Sequence, residues 1–374
     1  MVRMPRSAGL FALLLAAACD APHRIAAPPP LAADRLGRSQ LVVHPGESIQ
    51  AAVNAATAGA VIAIEPGTYR EAVHIALPGL TLVGRDGRDG GGGGGVVIEN
   101  PGGEDNGITV DRGSDGFTLA NVTVRGFGEN GVLLAGVHGF VLSRVTAQHN
   151  GEYGLFPVHS SAGLIERCRA SGHNDTGIYV GQDTNVTVSA SVAFANVNGI
   201  EFENSRRVRA IGNETFDNVV GILVVLLPGL DAKTSSDVLV AANRVHDNNH
   251  VNFAPPGDLA SFVPTGSGIL VVGADRVTVA SNVVTGNQFV GIGVASTLVL
   301  GQLAGLPPEA FGDIEPDPDF DRVVGNVVIR NGGAASPIAF LPAVDLLWIP
   351  SGTGNCWRRN VFRTSFPETL PVCS

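Results

Sequence analysis

The chain is expected to be an all-β protein, a single right-handed parallel β-helix solenoid with an N-terminal amphipathic helix as its cap. Three observations lead there. A glycine followed by an apolar residue recurs in NGI, NGV, YGL, TGI, NGI, VGI, SGI and VGI, with the glycines at 107, 131, 154, 177, 199, 221, 268 and 291. The successive differences are 24, 23, 23, 22, 22, 47 and 23, so the 47 is either two turns with one marker lost or a turn carrying an insertion. A fixed period in this range marks units that bury their apolar faces only against their neighbours. Within a period, runs such as Val186 and Val188, Ala193, then Ile200 and Phe202 alternate with polar or small residues, which is strand patterning too short for helices. Composition agrees: 49 Gly for tight bends and 6% aromatics suit many thin buried layers.

In chain order, Arg3 and Arg6 precede the apolar run Leu10 to Ala18, too short to span a bilayer, and then Cys19. Residues 1–18 therefore read as a signal peptide. Residues 19–38, with prolines at 28 to 30, read as a tether. The solenoid is expected from 39 to 350. It opens with VVHPGESIQAAVNAATAGAVIAIEPGTY, where Ile49, Ala52, Val53 and Ala56 share one helical face between two strands. Such a helix would cover the open end of the first coil, whose free edge would otherwise invite aggregation. The run Gly90 to Gly95 has no helix start after it and so lacks a phosphate-binding pattern.

Aligning the repeats puts Ile178, Ile200, Ile222, Ile269 and Ile292 in one inward column. It also aligns Asn213, Asn243, Asn282 and Asn326, and separately Asn174, Asn196, Asn218, Asn248, Asn287 and Asn331. Asparagines stacked ~4.8 Å apart can satisfy bend amides that would otherwise be buried unpaired. Insertions interrupt the period at about 226–236, 250–266 and 297–320, and long loops on a regular solenoid can wall a groove. Residues 351–374 form a C-terminal tail in which Cys356 and Cys373 can pair in an oxidising compartment, whereas Cys168 sits in the ladder register as a small inward residue.

The second and fourth residues after each marker glycine should face outward. Over three turns these are Phe156 and Val158, Tyr179 and Gly181, then Glu201 and Glu203, with His159, Gln182, Asp183 and Asn204 at the adjacent bend. An aromatic face beside carboxylates and an imidazole suits a sugar chain, since rings stack on pyranoses and the ionisable groups bind hydroxyls or move protons. Binding is placed on Tyr179, Gln182, Asp183, Glu201, Glu203 and Asn204. The candidates for proton transfer are Glu201, Glu203, His159 and Tyr179. Arg206 and Arg207, with Arg167, Arg169 and Arg209 nearby, could hold an acidic sugar's carboxylate, or else pair with surface glutamates. The bland alternative for Glu201 and Glu203 is a solvated outer face. His149 and His173 share a register with Asp217 and Asp247, a column that Ala195 interrupts. In the loop DIEPDPDFD, Asp317, Asp319 and Asp321 belong to an acidic alternation that could take calcium, though it lacks EF-hand spacing. A net charge of −10 argues against nucleic acid as a partner.

Two resemblances follow from these strings. LLAAAC resembles the lipobox of bacterial lipoproteins, which implies a lipid on Cys19 and a place on the periplasmic face of a membrane. The repeats resemble the pectin-lyase-like superfamily. YGLFPVHS, GIYVGQD, NGIEFENS, GILVVLLPGL and NFAPPGDLASFVPTGSG are similar to an exported family of β-helix lipoproteins of unknown function, whose members often occur beside an exported haem-protein-like family. The superfamily implies a polysaccharide ligand, bound or modified by lyase- or epimerase-like chemistry. The neighbouring family implies a non-catalytic scaffold for a haem-protein-like partner. Mannuronan epimerases carry an Asp-Pro-His-Asp string, and the nearest text here, Asp317-Pro318-Asp319-Phe320, has no histidine and lies in an insertion.

Overall fold

Each rung of the chain hydrogen-bonds to the rung one repeat away, in parallel and in register. Ile178 faces Ile200, Ile200 faces Ile222, Ile222 faces Ile269 and Ile269 faces Ile292. The computed structural model describes residues 40–85 and 95–374, all within one compact unit. Cys19, the apolar leader, the tether and nearly all of the glycine run lie outside the described residues. Among the described residues no helix is long and apolar enough to cross a membrane.

Three parallel sheets of twelve, eleven and ten strands run the length of the solenoid, and successive strands of one sheet come from successive coils. The interior between them is one apolar cluster from Val43 to Leu370. The isoleucine column belongs to it, with each member at most 1% exposed. The 47-residue spacing is settled as a single turn, because Val220 pairs with Ser267 on adjacent rungs. Two insertions, 226–236 and 250–266, leave the coil and return to it within that turn.

Why the marker must be glycine is visible at Gly199. A Cβ there would lie 2.5 Å from the Gly221 carbonyl and 2.9 Å from Asn218 Nδ2. The rungs approach too closely for any side chain.

The corners are closed by polar ladders. Asn196 donates from its backbone N and from Nδ2 to Asn218 Oδ1, and Asn218 does the same to Asn248. The second ladder runs from Asn213 through Asn243, Asn282 and Asn326 to Asn360. One expected member is displaced. Asn174 is exposed, and His173 takes the ladder position beside it, 0% exposed, its ring nitrogens 3.2 and 3.3 Å from the Asn150 and Ala147 carbonyls. Burial lowers the His173 pKa to about 4, so it is a neutral structural imidazole. It does not share a register with His149, which stands at the exposed bend whose next-rung equivalent is Gly172.

Helix α1 (Ile49–Ala55) caps the first coil as expected. Ser48 accepts from Ala51 N, Glu71 accepts from the Ile49 and Gln50 amides, and Ile49 and Val53 are buried. At the other end the ladder continues past 350. Cys356–Arg358 joins the twelve-stranded sheet, and Cys356 is bonded to Cys373. Cys168 is free and 2% exposed, its backbone N donating to Ser191 Oγ. Burial pushes its thiol up to about 12, the opposite of a reactive cysteine.

Because Ile200 touches only apolar neighbours in the core, Ile200→Asp would bury an unpaired charge and is expected to destabilise the rod by ~4 kcal/mol or more, while Ile200→Val should cost about 1. Denaturant melts of the two variants against wild type check this; equal midpoints for Asp and wild type would contradict the inward column.

Candidate functional site

Alternation places Phe156, Tyr179 and Glu201 in one outward column of the eleven-stranded sheet, with Glu203 two residues along from Glu201. They face away from the core but not into solvent. Tyr179 and Glu201 are each only 5% exposed, and Glu203 is partly exposed. The 250–266 insertion overhangs the two glutamates, while Tyr179 packs against Tyr153 and Phe156. Asn252 pins that loop by donating to the Ala260 and Val263 carbonyls, and Ala254, Ala260 and Val263 pack on Val197, Val219, Val220 and Leu223. Under it lies a cleft of about 310 Å³, whose wall includes Glu152, Tyr153, Asp175, Asn198, Glu201 and Glu203, with Asp258 and Pro255 from the loop. Among the described residues, no Lys, Arg or His lines it.

The rings form a packed wall. Tyr153 and Phe156 stack at 4.4 Å between centroids, and Tyr179 meets them at 5.0 and 4.8 Å. Gly181 makes this possible, because a Cβ there would fall 2.1 Å from the Tyr179 ring. With that space Tyr179 reaches the next rung and donates its hydroxyl to Glu203 Oε1 at 2.6 Å.

The acids are linked. Tyr153 donates to Asp175 Oδ2 at 3.2 Å. Thr176 Oγ1 is 3.0 Å from Asp175 Oδ1 and 2.5 Å from Glu201 Oε2, and Asn198 Nδ2 reaches all three atoms at 3.1 to 3.3 Å. A hydroxyl has one proton to give, so one of the two carboxyls must hold a proton for both contacts to be bonds. The electrostatics agree. Burial raises Glu201 well above the usual carboxylate range, and the charges of Asp175 and Glu203 add to that. Burial also raises Asp175, and lifts Glu203 to about 7 although the Tyr179 hydroxyl works in the other direction. Asn198 Oδ1 is buried without a donor. The solvated-face alternative for Glu201 is thereby corrected.

Other expected members go elsewhere. Asp183 turns inward at the bend, where its Oδ1 accepts from Ser160 N and its own N donates to Ser205 Oγ. It is a rung of a third corner ladder and cannot touch a ligand. Asn204 clamps the 226–236 insertion, donating to the Leu227 and Ala232 carbonyls and accepting from Leu227 N, and Gln182 accepts from Ala232 N. His159 is exposed on that side, 4.0 Å from Asp231, outside the cleft. Arg206 and Arg207 lie beyond the bend on the exposed corner, Arg207 donating to Asn185 Oδ1. Neither reaches the acids. Asp317, Asp319 and Asp321 diverge: Asp321 is buried and accepts from Val277 N, Asp319 accepts from the Thr353 N and hydroxyl, and Asp317 lies at the surface. Among the described residues no group of three or more His, Cys, Asp or Glu side chains is arranged to hold a metal ion.

Sequence reasoning missed Tyr153, Asp175, Thr176 and Asn198. The rung pairing skips the marker glycine, so the residue before it joins the outer face against simple alternation. Its signal was the polar column Asn130, Tyr153, Thr176, Asn198 immediately before the glycines, which turns to Val220 at the next rung.

Residues 95–228 match the family model described as right handed beta helix region. The solenoid is a right-handed β-helix. Similar solved structures include the A-modules of two mannuronan C-5 epimerases of Azotobacter vinelandii, AlgE6 and AlgE4. The first is 17% identical, with 85% of this chain and 86% of that chain covered at a TM-score of 0.57. The second is 16% identical, with 87% and 94% covered at 0.58. The DFA-IIIase of Arthrobacter chlorophenolicus A6, in complex with GF2, is 16% identical, with 84% and 79% covered at 0.53. At such identities the β-helix itself is what is shared, and the right-handed β-helix expected from the repeats is the one observed. No curated protein sequence matches the chain.

A carboxyl whose pKa is raised on folding keeps its proton while the unfolded chain has lost it, so its stabilising contribution is full below the unfolded value and is lost as pH rises through about 7 for Glu203. Glu203→Gln should therefore match wild type in stability at pH 4 and exceed it at pH 8. Chemical denaturation at the two pH values checks this; a wild type that stays the more stable at pH 8 would show that Glu203 is not a buried, protonated group.

Proposed function

We propose that this β-helix binds a polysaccharide in the cleft beneath the 250–266 loop and that Glu203 exchanges a proton with it there. The observation that carries the reading is the joining, in one cleft, of the Tyr153 ring, backed by Phe156 and Tyr179, with linked carboxyls, one of which titrates near neutral pH. Rings give a sugar an apolar face, the carboxyls accept its hydroxyls, and a group with a pKa near 7 can both give and take a proton at physiological pH. The mannuronan C-5 epimerases that share the fold support polysaccharide as the ligand class.

The cleft's charge narrows the sugar. Abstraction of a proton beside a uronate carboxylate is aided by a positive group that holds that carboxylate, and among the described residues no Lys or Arg lines the cleft. The acidic lining favours a neutral or amine-bearing glycan over a polyuronate, so we prefer acid–base work on an uncharged sugar to lyase- or epimerase-like chemistry. Affinity electrophoresis in gels containing neutral glucans, chitosan or alginate tests this. Retardation by a neutral or amine-bearing polymer is expected, weakened by at least tenfold in Tyr153→Ala, whose ring lines the cleft. Retardation by alginate alone would overturn the proposal.

We further propose that Cys19 carries a lipid and holds the β-helix at the periplasmic face of a membrane. The Cys356–Cys373 bond supports an oxidising compartment. Metabolic labelling with a fatty acid should mark wild type and not Cys19→Ser; label persisting in the variant would remove the anchor.

A further inference from the structure

The outer face of the eleven-stranded sheet changes chemistry along a single column. From rung to rung its members are Tyr179, Glu201, Leu223, Leu270, Gly293 and Leu347. The parallel column runs Glu203, Val225, Val272 and Ala295. The step from carboxyl to hydrocarbon takes one rung, ~4.8 Å.

Over the apolar half lies a second cavity of about 70 Å³. Helix α2 (Thr297–Leu303) and the segment around Ile338 roof it, and its surface is almost wholly apolar. Leu223, Val263 and Leu300 line both cavities, so the acid cleft and the hollow adjoin under one cover. Gly293 keeps the floor open, because a Cβ there would come within 3.0 Å of Leu270 Cδ2. Protein interiors are packed to the density of organic crystals, and an apolar void has no partners to offer water. At about 30 Å³ per water-sized group, the hollow takes two or three methylenes. It is too small for an aromatic side chain and too dry for a peptide backbone, whose amides would go unpaired.

We propose that the ligand of this site is amphiphilic: a saccharide joined to a hydrocarbon chain, with the sugar among the carboxyls and the first methylenes of the chain in the hollow. The head-group half rests on the glycan reading of the cleft, whereas the tail half stands on the second cavity alone.

Titration calorimetry with methyl, butyl and octyl glucosides, below their micelle concentrations, tests both halves. Each methylene that enters the hollow should tighten binding about fourfold, so affinity should rise roughly 15- to 60-fold from methyl to butyl and flatten beyond. Gly293→Leu, which fills the hollow, should abolish this chain-length gain and leave methyl glucoside binding unchanged. Gly293→Ala should reduce it and serves where the larger side chain prevents folding. Glu201→Gln with Glu203→Gln should weaken all three ligands by the same factor. Methyl and butyl glucosides binding equally to wild type would overturn the amphiphile while leaving the glycan reading intact. Free butanol binding as tightly as butyl glucoside would overturn both. Chain-length gain persisting in Gly293→Leu would place the tail elsewhere and overturn the assignment.

Discussion

The structure depends on one repeated bond: a polar side chain at a corner of the coil accepts the backbone amide of the rung before it. A coil of short strands must bend three times per turn, and each bend turns backbone groups toward an interior that is otherwise aliphatic. Left unpaired, each such group would cost roughly 1–3 kcal/mol, more than the few kcal/mol that separate folded from unfolded chains could absorb over ten coils. Asn196, Asn218 and Asn248 at one corner, Asn213, Asn243 and Asn282 at another, and Ser160, Asp183 and Ser205 at the third remove that cost. Their side chains repeat at the strand spacing and so also hold the register. The marker glycine answers the same geometry from the other side, since rungs locked this close leave no room for a Cβ.

Once the interior is self-sufficient, the outer face is free to carry chemistry. A single sheet face passes from rings to carboxyls to hydrocarbon without a change of backbone, because each rung adds one residue to each column. Three insertions turn that open face into a buried one. The 250–266 loop and α2 rest on the apolar half of the sheet, through clusters separate from the rod's own core, and their overhang desolvates the acids beside it. Lys233 of the first insertion pairs with Asp313 of the third, joining the lid at its rim. The carboxyls are therefore perturbed by what covers them rather than by one another alone, with burial as the largest influence on all three. Held this way, the carboxyls cost the rod stability as pH rises through neutrality, which is why they mark a site.

The right-handed β-helix, its inward isoleucine column, both asparagine ladders, the capping helix and the tail disulfide were legible in the sequence, and the failures are confined to bends. Asn174 seemed to belong to a ladder because the period drifts between 22 and 24 residues, and the true member one residue earlier is a histidine doing an asparagine's work. Asp183 was placed at the bend beside the outward strip, but the turn there aims its side chain inward, onto the corner amides. Asp175 and its neighbours were missed for the converse reason, a phase break at the marker glycine itself. Periodicity is a property of strands, and it breaks at the bends and at the marker glycine.

What the sequence by itself determined is whatever repeats: the coil, its direction of stacking, the columns, and which residues of a strand face out. Local backbone geometry and a fixed rise per rung leave those no alternative. What only the tertiary structure decided is which outward residues are wet. Glu201 and the half-buried Glu214 both lie within strands, yet one lies beneath a loop inserted about 50 residues further along the chain and the other pairs with Arg244 at the surface. The path of an insertion across the rod is set by apolar contacts that recur nowhere in the repeat, so neither the cleft nor the hollow beside it has a periodic signature.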